Sequence, residues 1–196
     1  MNIEAIVYTS NTGNTEQYAK MLAARTGLPV YSAKDAETAL SQGACILYMG
    51  WIRASVIVGY QEAAARYAIA CICAVGMGET GGQIPELRKK NRLAESLPLF
   101  TLQGGLFPSK LRGMNAFMIN FSRRKAIKVL KAEKKRTEAQ NAMLIMLSKG
   151  ASFVQEKHLQ KPLYWLQTQG IELLPVSEAQ DAQAPDKAPA DAAEKK

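Results

Sequence analysis

Short apolar runs alternate with helical patterns along roughly the first hundred residues of this 196-residue chain, and that alternation restricts the folds open to it. A strand that is apolar on both faces must be covered on both, and the helices between the strands supply the covers. The pattern predicts strands over Glu4 to Thr9, Val30 to Ser32, Ala44 to Met49, Ala68 to Val75 and Leu97 to Gln103. It predicts helices over Asn14 to Thr26, Asp35 to Gln42, Val56 to Tyr67 and Gln83 to Glu95. Repeated strand–helix–strand units imply a parallel sheet of the doubly wound α/β class.

The alternation breaks at Gly104-Gly105. Met114, Phe117, Met118 and Phe121 then fall at i, i+3, i+4 and i+7, one apolar helical stripe. A basic helix runs on to about Arg136, a further helical segment covers Asn141 to Leu147, and Gly150 punctuates. Glu156 to Thr168 reads as the closing helix, with Leu159, Leu163 and Leu166 inward. The expected organisation is one domain over residues 1–176, carrying a helical insertion at 106–150. Residues 177–196 are Ala, Pro, Gln and charge without aromatics, a composition that cannot bury a core and is expected to be disordered.

Charge is concentrated in the insertion. The chain carries +8, yet residues 106–136 alone carry +9, with Glu133 their one acid, so the remainder is near −1. A basic, apolar helix of this kind has three readings: a solvated face, a surface for an anionic membrane, or a dock for an acidic redox partner. Nucleic acid is disfavoured, because no aromatic-and-basic platform accompanies the charge. No apolar run approaches the ~20 residues that span a bilayer. The chain opens directly into a strand, so no signal peptide is expected and a cytoplasmic location, with peripheral membrane contact as an option, follows. Cys45, Cys71 and Cys73 lie in apolar runs and read as buried thiols. A single histidine, His158, excludes a histidine-rich metal site.

Between the first strand and first helix lies Thr9-Ser10-Asn11-Thr12-Gly13-Asn14-Thr15. A helix N-terminus presents unpaired N–H groups and the positive end of its dipole, and so binds phosphate. Here hydroxyls and amides surround one glycine, more donors than capping requires, with no Lys or Arg among them. That chemistry suits a singly esterified phosphate rather than a metal-bound triphosphate. Ligands of open α/β sheets lie beyond the carboxyl ends of the strands. Two further loops should converge there. The stretch 50–56 holds Gly50, Trp51, Ile52 and Arg53, and the stretch 76–82 holds Gly76, Met77, Gly78, Glu79 and Gly81. Trp51 is either a stacking face for a flat ligand or a rim or core residue. Glu79 and Arg53 read as loop or rim charges, and no side chain announces itself as an acid–base catalyst.

The motif Ser10-Asn11-Thr12-Gly13-Asn14-Thr15 resembles the phosphate loop of flavodoxins, Ser/Thr-x-Thr-Gly-x-Thr. The resemblance implies strand order 2-1-3-4-5, FMN as cofactor with its 5′-phosphate in this loop, and electron transfer as function. Many flavodoxins carry an aromatic in the third loop, whereas this chain has none. Gly50-Trp51-Ile52-Arg53 and Gly104-Gly105-Leu106, followed by the basic helix, look like the branch of flavodoxin-domain proteins that includes menaquinone-dependent protoporphyrinogen oxidase. This implies a quinone-linked flavoenzyme as one alternative to an electron carrier. A flavin-free scaffold acting through its basic helix is another.

Overall fold

A computed structural model describes residues 2–111 and 113–175 of the chain. The expected tail at 177–196 lies outside them, as do the side chains of Met114 and Met118. In chain order the elements begin β1 (Ala5–Thr9), α1 (Asn14–Thr26), β2 (Val30–Ser32), α2 (Ala33–Ala39) and β3 (Cys45–Arg53). They continue with β4 (Val56–Ile57), α3 (Tyr60–Arg66), β5 (Ala68–Gly76), α4 (Ile84–Asn91) and β6 (Leu99–Gln103). The remainder is β7 (Gly105–Leu106), α5 (Gly113–Ala132), α6 (Glu138–Lys149), β8 (Ala151–Ser152) and α7 (Gln160–Thr168).

Five strands pair in parallel in the order β2-β1-β3-β5-β6, and β4 folds back antiparallel on β3. The order places β1 and β3 side by side at the centre, with Thr9 opposite Gly50. Side chains alternate between two cores, as the period-2 pleat requires. On one face Leu47, Met49, Cys71 and Cys73 pack with Tyr18 and Leu22 of α1, and with Leu159, Leu163 and Leu166 at and before α7. On the other face Ile46, Tyr48, Ile72 and Ala74 pack with Ala36, Ala63 and Leu87 from α2, α3 and α4. Helices therefore cover both faces of a mostly parallel sheet, an α/β architecture compatible with double winding. All three cysteines are free thiols, and burial pushes the Cys71 thiol well above its ordinary pKa. Tyr18 Oη donates to Gln103 O at 2.6 Å and meets His158 Nδ1 at 2.6 Å, tying α1 to β6 and to the turn before α7.

The structure corrects the reading of residues 50–67. The stretch 50–56 is not a loop, and the helix expected from Val56 to Tyr67 starts only at Tyr60. Strand β3 continues through Trp51 and Arg53, turns at Ala54-Ser55, and pairs with β4. Both turn residues have positive φ, 47° and 62°. That backbone matches the twist of a two-residue hairpin but is usually given to Gly or Asn. Asn91 holds it in place: its Oδ1 accepts from Ile57 N and its Nδ2 donates to Ser55 O, both at 2.8 Å. Smaller shifts occur at helix ends. Helix α2 starts at Ala33 because Ser32 Oγ accepts from Asp35 N, and the first turn of the closing helix, Glu156–Leu159, is a 3-10 turn.

The insertion is bounded by a two-residue clasp. Gly105 pairs with Ser152 and Leu106 with Ala151, antiparallel. Between them, Ile119, Ala126, Ile127 and Leu130 of α5 pack with Met143, Met146 and Leu147 of α6 and with Leu106. Thr137 and Gln140 form a reciprocal capping box that starts α6. Phe117 and Phe121 of the apolar stripe are exposed, at 78% and 69%. Among the described residues no helix is long and apolar enough to cross a membrane.

Candidate functional site

A cleft of about 820 Å³ opens at the carboxyl ends of the central strands. Its floor and one wall come from the sheet: Ser10, Asn11, Thr12, Asn14 and Thr15 after β1, Trp51 to Ala54 at the end of β3, and Val75, Gly76 and Met77 at the end of β5. The opposite wall is the insertion, through Leu106, Ile119, Phe121, Arg123, Ala126, Leu130, Met143 and Leu147, among others. Mostly apolar walls with a few grouped polar donors, at this volume, are the usual make-up of a small-molecule site.

The structure thus brings together ten of the residues singled out from sequence: Ser10, Asn11, Thr12, Asn14, Thr15, Trp51, Ile52, Arg53, Gly76 and Met77. The others sit outside the lining. Thr9 Oγ1 is 2.9 Å from Tyr48 Oη, which also reaches Val58 O at 2.7 Å. Gly50 is a buried strand residue. Gly78, Glu79 and Gly81 belong to a loop tied to β6 by Gly81 N to Thr101 O, Thr101 Oγ1 to Gly82 O and Gln103 N to Thr80 Oγ1. Gly13 caps α1 in the left-handed region at φ 95°, which closes the loop onto the helix.

The donors of the loop divide into two kinds. Ser10 Oγ accepts from Gly13 N at 3.2 Å, and Thr12 Oγ1 accepts from Asn14 Nδ2 at 3.1 Å. A hydroxyl used as acceptor keeps its own proton to donate, so both remain competent toward a ligand. Asn14 is different. It is buried, its Nδ2 also donates to Gly105 O at 3.0 Å, and its Oδ1 accepts from Ser152 Oγ at 2.7 Å. Its amide fastens the loop to the clasp of the insertion.

Charge in the cleft has one sign. Arg53, Arg123 and Lys125 line it, and no carboxylate does so among the described residues. The Arg53 guanidinium lies 5.8 Å from the centre of the Trp51 ring, within cation–π range. Arg123 Nη1 donates to Leu147 O at 2.8 Å, while its Nε is shut off from solvent without an acceptor. Among the described residues the lining contains no His, Cys, Asp or Glu. No group of three or more metal-ligating side chains exists among the described residues.

Sequence reasoning missed the insertion's share of this cleft. The signal was present: Ile119, Arg123, Ala126 and Leu130 share one helical face, next to the stripe that ends at Phe121. Which face turns inward depends on packing against α6, the next helix, which the periodicity of α5 alone does not show. Together, fold and site define an α/β protein with an anion-suited cleft at the carboxyl edge of a parallel sheet. No family model matches the chain, and neither a curated protein nor a solved structure does so.

Proposed function

We propose that this chain is an FMN-binding, flavodoxin-like redox protein that passes electrons to or from a partner or substrate. The observation that carries the reading is the sharing of one cleft by the hydroxyl-rich loop 10–15, at the N-terminus of α1, and Trp51 at the end of β3. The residues present fit the group. A phosphate monoester needs donors and positive potential, which the loop, the helix end and the three cations of the lining provide. An isoalloxazine ring needs flat and aliphatic contacts, which Trp51, Ile52, Val75 and Met77 provide. When bound, FMN supplies hydride and one-electron chemistry; the protein supplies binding and orientation. The deciding experiment is an absorption spectrum of the purified chain, with mass identification of released flavin. A yellow protein releasing FMN supports the reading, and a colourless protein that takes up no flavin favours the scaffold alternative.

A second reading, a quinone-linked flavoenzyme of the protoporphyrinogen-oxidase type, draws on one observation. The insertion walls the cleft with Ile119, Ala126, Leu130 and Met143. A carrier that trades electrons with a large protein needs an open edge, whereas an apolar wall suits a small apolar substrate. Turnover of a porphyrinogen with quinone separates the two. The outer face of α5 belongs to the same reading. Exposed Phe117 lies on one helical face with exposed Arg124, Lys128 and Lys131, bordered by Phe121 at the rim of the cleft, which suits the surface of an anionic bilayer. The chain is accordingly read as a cytoplasmic protein that docks peripherally.

A further inference from the structure

By residue type Asn14 is a candidate donor to a ligand, but its amide is committed elsewhere. Its Nδ2 gives one N–H to Thr12 Oγ1 at 3.1 Å and the other to Gly105 O at 3.0 Å, and its Oδ1 accepts from Ser152 Oγ at 2.7 Å. A carbonyl oxygen only accepts, so Gly105 O fixes which end of the amide is nitrogen. One buried side chain therefore joins three segments, the loop after β1 and both strands of the clasp. Gly105 and Ser152 are absent from the lining of the cleft.

These bonds run in one direction. Val154 N donates to Ser152 Oγ at 3.3 Å, and the Ser152 hydroxyl passes its own proton to Asn14. Asn14 in turn donates to Thr12, which keeps the Thr12 proton available on a residue that lines the cleft. Hydrogen bonds in series polarise one another, so an anion accepting from Thr12 strengthens the bonds behind it.

We infer that Asn14 is a positioning residue: held by the two strands that close the insertion, it orients the Thr12 hydroxyl for the phosphate without touching the ligand through its own amide. The inference rests on the FMN reading and adds to it a link between the two walls of the cleft. Such a link is reciprocal. If the clasp improves the grip on phosphate, phosphate holds the clasp by the same factor. Riboflavin, which has no phosphate, does neither.

The test is titration of the full chain, stripped of flavin, with FMN and with riboflavin. The proteins are wild type, Ser152→Ala, Ser152→Thr, Asn14→Ala and the Ser152→Ala/Asn14→Ala double variant. Ser152 is exposed and outside the lining, so its truncation removes a hydrogen bond without altering the wall of the cleft. One hydrogen bond corresponds to roughly two- to tenfold in affinity. Ser152→Ala is expected to lower FMN affinity by that factor and to leave riboflavin affinity unchanged, and Ser152→Thr to restore the wild-type value. Asn14→Ala should lose more, and adding Ser152→Ala to it should cost nothing further, because Ser152 acts through Asn14. Trypsin digestion within 106–136 reads the link in reverse. FMN, or inorganic phosphate at matched ionic strength, should slow it in the wild type more than riboflavin does, and that difference should vanish in Ser152→Ala. Unchanged FMN affinity in folded Ser152→Ala overturns the inference. So does an equal loss for both flavins, or equal protection by both, either of which would make Asn14 only a structural tie. If Asn14→Ala does not fold, Ser152→Ala and its threonine rescue decide. A wild type that takes up neither flavin instead removes the FMN reading itself, and the positioning role falls with it.

Discussion

Thr12 and Thr15 line the cleft at the start of α1, and Thr15 is buried there. Under the proposed FMN reading, replacing both with Ala removes two hydroxyl donors to the phosphate dianion, each worth about 1.5–3 kcal/mol when the partner is charged. FMN affinity is expected to fall at least tenfold and riboflavin affinity to change little; equal losses in a binding titration would place the phosphate elsewhere. The chemistry of this loop was legible because it is local: hydroxyls, a glycine and a helix start lie within a few positions. Asn14 shows where locality ends. By composition it is one more donor, but its partners Gly105 and Ser152 lie 91 and 138 residues away, and no short-range pattern announces them. Arg123 was visible only as one charge in a basic run, since its pairing with Leu147 O depends on how α5 meets α6.

At the scale of elements, the central sheet was legible and the hairpins were not. Strands β1, β3, β5 and β6 are buried apolar runs, and burial on both faces is written into composition. The β3–β4 turn was hidden because Ala54 and Ser55 hold positive φ without a glycine or asparagine to signal it. An L-residue in that region is disfavoured by about 1–2 kcal/mol, part of which the extra freedom of glycine in the unfolded chain cancels. Ser55→Gly is therefore expected to stabilise the protein by up to about 1 kcal/mol in chemical denaturation, and no gain would mean the hairpin carries no strain. The β7–β8 clasp was missed because two-residue strands have no periodicity. It depends on Gly105, where a Cβ would collide with Ala151 O and crowd the Ser152 backbone. Gly105→Ala should release the insertion while the main sheet persists. Limited trypsin digestion should then cut faster within 106–136, and an unchanged digestion rate would show that the clasp does not hold the insertion.

Across the whole molecule, two properties of the insertion separate onto two faces of α5. Arg123 and Lys125 line the cleft, while Arg124, Lys128 and Lys131 are exposed and absent from its lining. Reversing those three exposed residues to Glu is expected to abolish co-sedimentation with anionic vesicles and leave flavin content unchanged. Wild-type sedimentation should weaken steeply with salt, since exposed charges are screened over ~8 Å at physiological ionic strength. Salt-insensitive sedimentation unaffected by the reversal would reduce the basic face to a solvated one. The concentration of charge was legible by counting; its partition between two faces required the fold. The clasp carries a further implication. Because Leu106 and Ala151 are cross-strand neighbours, the polypeptide leaves the sheet domain and rejoins it at a single point. A segment with such adjacent ends can be gained, lost or exchanged during descent without shifting the register of any strand in the main sheet. The insertion's wall of the cleft is thereby free to diversify, while the wall formed by the ends of the central strands stays as it is.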